Sequence, residues 1–183
     1  MSIAADQAST DESFVKEAAR GSQMEVELGR MAQQKSTNQE VRQLAAMLAQ
    51  EHQAAYQQLQ TIATKHNIQL PKQESGEAQK DPNMQKLSDL QGQQFDRQFV
   101  QTVIDEHQKD IQEFQNQART SQNADVKQFA TATLPKLQQH LQMAQRVQAS
   151  LAQGSAARPG EQPIDVSRQQ EAGAQQPAGQ QSR

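Results

Sequence analysis

Four long stretches of the chain carry apolar residues at spacings that alternate between three and four. The second stretch shows the pattern clearly, in a repeat formed by Val41, Ala45, Leu48, His52, Ala55, Leu59 and Ile62. Such spacing keeps the side chains on one face of an α-helix. Four helices with one apolar face each bury those faces by packing together, so the sequence predicts an all-α fold, a four-helix bundle.

Helix boundaries follow from capping residues and from the ends of the apolar repeats. The four predicted helices run from about Asp11 to Lys35, Asn38 to His66, Asn83 to Thr120 and Ala124 to Gln153. The predicted caps are the capping boxes of Ser9 with Glu12 and Thr37 with Glu40, the N-caps Asp81 and Asn123, and a left-handed stop at Asn67. Irregularity is expected in the third helix around Gly92. A kink is expected in the fourth at Pro135, which removes a backbone amide.

The connections differ in length, which constrains the topology. Short turns after the first and third helices predict two antiparallel pairs. The segment from Ile68 to Asn83 is long and contains Pro71, Gly76 and Pro82, so it can cross over as in ferritin-like bundles. We expect a flexible N-terminus over residues 1–10, the bundle over 11–153 and a disordered tail rich in Gln, Pro, Gly and Ala over 154–183.

Composition excludes several classes of function. The chain has no cysteine, so it has no disulfide, no thiolate metal site and no thiol catalysis. Its net charge is -3 with both signs dispersed, which argues against nucleic-acid binding. No apolar run approaches the ~20 residues that a transmembrane helix needs. Phosphate-binding loops, nucleotide-binding fingerprints and nucleophile triads are also missing, and the oligomeric state is left open.

A polar residue interrupts each apolar repeat near its middle. The four interruptions are Glu25, His52, His107 and His140. An uncompensated buried polar group costs roughly 1–3 kcal/mol, so one in every helix calls for an explanation. Imidazole nitrogens and carboxylate oxygens are ligands for zinc, iron and manganese, and bundle cores are where such ligands converge. These four residues are the candidate metal site, for a divalent ion.

Three observations argue against a compact site. The di-metal bundles pair Glu-x-x-His motifs, whereas Ala49, Ile104 and Leu137 stand three residues before the histidines. In an antiparallel pair, residues equally far from the connecting turn lie side by side. Counted from the first turn, near residue 36, His52 lies about six residues out of level with Glu25, or ~9 Å along the helix axis. The same argument, applied to the turn from Ser121 to Asn123, leaves His140 about four residues, or roughly 6 Å, out of level with His107. The alternative is therefore a buried hydrogen-bonded set that fixes the helix register.

Other titratable residues have secondary roles in this interpretation. Three acids are supporting candidates: Asp110, one turn after His107 and able to orient its ring, together with Asp96 and Glu27. Glu51 and Glu106 each precede a histidine directly and are expected to point elsewhere. His66 is expected to be a C-terminal cap of the second helix rather than a ligand.

Three segments together resemble a known family. They are "FVKEAARGSQMEVELGRMAQQKSTNQEVRQLAAMLAQEHQAAYQQL", "FDRQFVQTVIDEHQKDIQEFQNQA" and "DVKQFATATLPKLQQHLQMAQ". They are similar to the bacterial ferritin-like family with the domain of unknown function DUF4142, over about Phe14 to Ala144. The resemblance implies a ferritin-like bundle and a periplasmic or cell-envelope location, since members are often called outer membrane proteins or membrane proteins. The family pattern falls on Glu25, Glu27, His52, Asp96, His107, Pro135 and His140.

The sequence thus predicts a periplasmic or envelope-associated ferritin-like bundle whose biochemical role is left open, with a non-enzymatic role favoured. Its buried histidines are candidates to bind a metal ion or a small ligand. One alternative is a metal-dependent stress oxidoreductase, and another is a non-catalytic interaction module in envelope or stress adaptation. A cytoplasmic location is the alternative to the envelope, because "MSIAADQAST" has neither the basic nor the apolar region of a signal peptide.

Overall fold

The described part of the chain is almost entirely helical. The computed structural model describes the backbone of residues 3–71 and 81–156 and the side chains of residues 9–71 and 81–154. Five helices are present in these ranges: α1 (Ile3–Lys35), α2 (Gln39–Lys65), α3 (Pro82–Asp89), α4 (Gly92–Thr120) and α5 (Ala124–Ala156). No strand occurs in them. The predicted all-α bundle is confirmed, with α1, α2, α4 and α5 as its four long helices.

The first helix begins earlier than its sequence suggests. It starts at Ile3, about two turns before the predicted start near Asp11, so residues 3–10 are helical rather than an irregular leading segment. Ser9 lies inside α1, where its carbonyl accepts a hydrogen bond from the Ser13 hydroxyl at 2.9 Å. The predicted capping box at Ser9 is therefore wrong, since the first turn of the helix lies upstream.

Other helix ends agree more closely with the capping signals. Asn38, not Thr37, caps α2, because its side-chain oxygen accepts bonds from the amides of Glu40 and Val41. Asp81 caps α3 with Pro82 in its first turn, and the Asn123 side chain accepts from the first amides of α5. Asn67 has the predicted left-handed conformation, with φ 55°.

The third predicted helix is in fact two helices. α3 ends at Asp89, and α4 begins at Gly92, where φ is +53°. Glycine adopts a positive φ at little cost, and the predicted irregularity at Gly92 is a complete break between two helices. α5 passes through Pro135 without interruption. The Thr131 carbonyl, which loses its amide partner there, belongs to an exposed residue and can bond to water. α5 also extends past Gln153 to Ala156, and residues 157–183 of the predicted tail lie outside the described residues.

Two apolar clusters fill the bundle, one toward each end. The Phe99 cluster contains Leu28, Ala32, Val41, Leu44, Leu48, Phe95, Phe99, Val103, Ala144 and Val147, with Met84 and Leu87 of α3 packed among them. The Phe14 cluster contains Phe14, Val15, Ala19, Leu59, Ile62, Phe114, Val126, Phe129 and Leu137. In every long helix, the polar interruption lies between the residues of one cluster and those of the other.

The clusters also give the helix directions. Phe14 lies near the start of α1, whereas Ile62 and Phe114 lie near the ends of α2 and α4, and all three share one cluster. α2 and α4 therefore run in the same direction. Leu70, after the end of α2, packs against the Phe14 cluster, whereas Met84 of α3 belongs to the Phe99 cluster, so the chain leaves α2 at one end of the bundle and enters α3 at the other. The predicted crossover is confirmed.

None of the described helices has the length and apolar character to span a membrane.

Gly29 brings α1 and α2 close together. A Cβ atom on Gly29 would lie 2.6 Å from the Ala45 carbonyl oxygen and 3.0 Å from the Ala49 Cβ. Only hydrogen fits there, so the two backbones approach directly and fix one register. Gly21, two turns earlier on the same helix, has no such neighbour within 4 Å.

We predict opposite effects for alanine at these two glycines. Gly29→Ala should lower the free energy of unfolding by about 1–2 kcal/mol, because overpacking outweighs the gain in helix propensity. Gly21→Ala is the matched control and should raise it by up to about 1 kcal/mol. Urea unfolding followed by circular dichroism measures both. An equal gain at both positions would contradict the close packing at Gly29.

Candidate metal centre

Three histidines from three helices meet at the centre of the bundle. His52 of α2, His107 of α4 and His140 of α5 are all buried. Their ring centroids are 5.2 to 5.5 Å apart. One nitrogen from each ring lies within 4.8 Å of the others, which is the arrangement of metal ligands. Within the part of the chain described, no other group of three histidine or acidic side chains meets this criterion.

The fourth interruption, Glu25 of α1, joins this group. Its Oε1 lies 3.6 Å from His107 Nδ1, and its side chain is 3 % exposed. We call Glu25, His52, His107 and His140 the polar layer. The expectation that these residues are too far out of level for a compact site is wrong.

The register of each helix pair accounts for this result. Gly29 lies opposite Ala45 and Ala49, which places Glu25 opposite roughly residue 51 rather than residue 46 or 47. The turn between α1 and α2 therefore does not mirror the two helices about residue 36. In the other pair, Gln148 donates a hydrogen bond to Gln101 at 2.8 Å. That pairing leaves His107 and His140 about two residues out of level, an offset their side chains span.

Hydrogen bonds fix the orientation of His107. Its Nδ1 lies 2.9 Å from the Val103 carbonyl oxygen, one turn earlier on α4, and must donate to it. Its Nε2 therefore carries a lone pair, which faces His140 Nδ1 at 3.1 Å. The prediction that Asp110 orients this ring is wrong, because the Val103 carbonyl takes that place.

His140 is approached from its other side by a carboxylate. Glu51 Oε2 of α2 lies 3.4 Å from His140 Nε2, outside hydrogen-bond geometry but close enough to attract a proton there. His52 Nε2 has no hydrogen-bond partner among the described residues. Backbone and carboxylate groups behind a ligand imidazole are the usual outer partners of metal-bound histidine.

Burial keeps the three rings neutral. Desolvation, assisted by the neighbouring rings, holds the pKa of His52 well below its ordinary value. The pKa of His107 is lowered to about 3 by desolvation and by His140. The pKa of His140 is lowered to about 4 by desolvation and by Lys136. Neutral imidazole is the form that binds metal, so all three have available lone pairs at neutral pH.

Three acids form the α1 and α4 side of the site. Burial raises the pKa of Glu25 well above its ordinary value, and Glu106 adds to the effect. Burial likewise raises the pKa of Glu106 and, with Glu106 and Glu113, raises that of Asp110 to about 7. Neither carboxylate oxygen of Glu25 has a donor among the described residues.

Glu51 and Glu106 are the site residues that the sequence misses. Both were expected to point away, since each directly precedes a histidine. A neighbour in sequence is turned by only about 100° around a helix, however, which directs it toward an adjacent helix rather than into solvent. Glu51 reaches α5 in this way, and Glu106 reaches α1. Acids at positions flanking the polar layer were the signal that could have identified them.

The remaining candidates lie outside the layer. Glu27 forms an ion pair with Arg30 at 2.9 Å. Asp96 is buried, with one oxygen unpartnered, but does not join the cluster of three histidines. His66 is the C-cap residue of α2, as predicted, and its Nε2 lies 2.7 Å from Asp125 of α5.

Comparison with known proteins agrees with this fold. A family profile described as "Domain of unknown function (DUF4142)" matches residues 1–147. The chain belongs to this family. A search of curated proteins gave no match.

Two solved structures from another family share the fold. A DUF305 protein from Streptomyces coelicolor is 18% identical with a TM-score of 0.67, over 78% of this chain and 94% of that one. A DUF305 fragment from Deinococcus radiodurans is 16% identical with a TM-score of 0.68, over 77% of this chain and 96% of that one. At these identities the likeness concerns the fold alone.

The lowered pKa of His107 predicts a pH-dependent mutant effect in metal-free protein. Unfolded His107 takes up a proton below pH 6.5 and folded His107 does not, so wild-type stability is lost as pH falls through this range. The residue's share of that loss is about 2 kcal/mol between pH 7.5 and pH 5. His107→Gln has no such group and loses none of this free energy. The difference in free energy of unfolding between wild type and His107→Gln should therefore be smaller at pH 5 than at pH 7.5 by about 2 kcal/mol.

Urea unfolding in chelator at both pH values measures the deficit. Leu48→Ala, a substitution in the Phe99 cluster without a titrating group, is the control, and its deficit should stay constant. A constant deficit for His107→Gln would contradict the neutral buried ring.

Proposed function

We propose that this protein binds a divalent transition-metal ion through His52, His107 and His140. The observation that carries the proposal is the convergence of three neutral imidazoles, two of which, His52 and His140, have an Nε2 without a hydrogen-bond partner among the described residues. Three imidazoles suit zinc, copper, iron or nickel, and they leave a coordination position open. Metal binding is the proposed biochemical role, and no reaction is assigned.

The metal-free layer contains a conflict that an ion would remove. The Val103 carbonyl leaves a lone pair on His107 Nε2. If His140 carries its proton on Nε2, toward Glu51, then two lone pairs face each other 3.1 Å apart. If the proton is on Nδ1 instead, the Nε2 lone pair faces the Glu51 carboxylate. The first arrangement leaves a buried repulsion, and the second places a lone pair against a half-buried carboxylate, whereas a cation among the three rings attracts these lone pairs.

The dimensions are compatible with an ion after a small contraction. Tetrahedral zinc with Zn–N bonds of ~2.0–2.1 Å separates its nitrogen ligands by about 3.3 Å. His107 and His140 are already at 3.1 Å, and the full set spans up to 4.8 Å. His52 is the ring that must move inward, and its unpartnered Nε2 leaves it free of a competing bond on that atom.

Substituting each histidine in turn tests the proposal. Wild-type protein, stripped of metal, should bind one Co²⁺ or Zn²⁺ and gain about 2.7 kcal/mol of stability at a free-ion concentration 100 times the Kd. His52→Ala, His107→Ala and His140→Ala should each lose this binding. Titration calorimetry and the visible absorption of Co²⁺ measure it.

His66→Ala is the matched control, because His66 caps α2 at one end of the bundle. It should bind metal like wild type. Equal binding by all four variants, or none by wild type, would refute the proposal. The layer would then serve only to pack and hydrogen-bond the helices.

An envelope location and a ferritin-like kinship are part of the same proposal. The two helical hairpins joined by a long crossover support the kinship. The family resemblance supports export, and the Streptomyces coelicolor DUF305 protein is described as a candidate secreted protein. Fractionation of the native host should place the protein with the periplasm or envelope. Recovery with the cytosolic marker would refute this location.

A further inference from the structure

An acid-lined cavity connects the surface to the polar layer between α1 and α4. Its volume is about 230 Å³. The exposed Glu17 and Glu113 line its outer part, the half-buried Glu106 and Asp110 lie further in, and the buried Glu25 and His52 belong to the polar layer. Arg20 and Lys109 are exposed cations in the same lining, and Arg20 Nη1 lies 3.9 Å from Glu17 Oε2.

The packing explains why the opening is on this side. α1 packs mainly on α2, and α4 mainly on α5, so the two hairpins meet less closely along α1 and α4. Small residues on α1, namely Ala18, Gly21 and Ser22, line the gap. A Cβ at Gly21 would have no neighbour within 4 Å. The space is therefore a product of small side chains as well as of hairpin spacing.

The buried Glu25 carboxylate indicates which kind of ligand this cavity admits. Its carboxylate is 3 % exposed and has no hydrogen-bond donor on either oxygen among the described residues. A buried acceptor without a donor is costly, roughly 1–3 kcal/mol, and calls for a partner from outside the protein. A partly dehydrated cation supplies that partner, since carboxylate oxygens can replace its lost water.

We propose that this cavity is the access route for the metal ion, with Glu25 as the carboxylate that passes it to the histidines. The inference rests on the proposed function. Glu113 and Asp110 attract the hydrated cation, Glu106 and Glu25 replace part of its water, and His52 and His107 then take it up. A route of this kind governs the rates of binding and release rather than the affinity.

Gly21→Leu tests the route by placing a large side chain in it. In stopped-flow experiments with Co²⁺ and full-length protein, we expect the association and dissociation rates both to fall by about tenfold, because a blocked path slows both directions equally. The Kd should stay within about twofold of wild type. Gly154→Leu is the matched control, since Gly154 is also open and does not line the cavity, and its rates should not change.

Asp110→Asn provides a second test that does not depend on added bulk. At about pH 8, where most Asp110 is ionised because its pKa is about 7, the association rate of this variant should fall by about threefold at low ionic strength and recover relative to wild type in high salt, as electrostatic attraction requires. Glu27→Gln removes the same charge from a residue outside the cavity and should leave the association rate unchanged.

The outcomes separate the two proposals. Wild-type rates in both Gly21→Leu and Asp110→Asn, with cobalt still lost from the histidine variants, would overturn the route and leave the metal site standing. A weaker Kd with faster dissociation in Gly21→Leu would also overturn it, because that pattern indicates a distorted site. Absence of cobalt binding by wild type would overturn both.

Discussion

The register of the helices is the constraint on which this structure depends. Gly29 against Ala45 and Ala49 fixes α1 relative to α2. Because of that contact, Glu25 and His52 lie at about the same level of the bundle. A shift of either hairpin by one turn, about 5.4 Å, would leave each polar residue against an apolar cluster. Register and polar layer therefore specify one another, as buried polar residues do in other helical assemblies.

The layer is not a fully satisfied packing device, however. A structural polar layer gains specificity by pairing every buried donor and acceptor. Here both oxygens of Glu25, together with Nε2 of His52 and of His140, lack hydrogen-bond partners among the described residues. Apolar clusters on both sides supply the stability that tolerates this cost. Departures from complete satisfaction concentrate at functional sites, which favours ligand binding over packing alone.

The sequence predicts the helices well because their signals are local. Caps at Asp81, Asn123 and Asn67 act over a few residues, and the structure contains all three. The level of one helix against another is not local. It depends on the close approach at Gly29, and a turn of three residues does not reveal which way the helices slide. The same limitation hid Glu51, whose reach toward His140 depends on α5 being the neighbour of α2. The break at Gly92 was visible as an irregularity, but its extent depends on how α3 packs against the Phe99 cluster.

The titrating groups of the site act on stability in opposite directions. The three histidines have lowered pKa values, so they favour folding above pH 6.5 and that contribution is lost as pH falls toward 4. Glu25, Glu106 and Asp110 have raised pKa values, so they bind protons more readily when folded and oppose folding as pH rises through their folded values. The two sets offset each other between about pH 4.5 and 6.5, the ordinary values of glutamate and histidine. A divalent ion would favour the deprotonated form of both sets, because it binds neutral imidazole and attracts ionised carboxylate. Binding of the proposed ion would thus offset the electrostatic cost of the histidines and of the acids together.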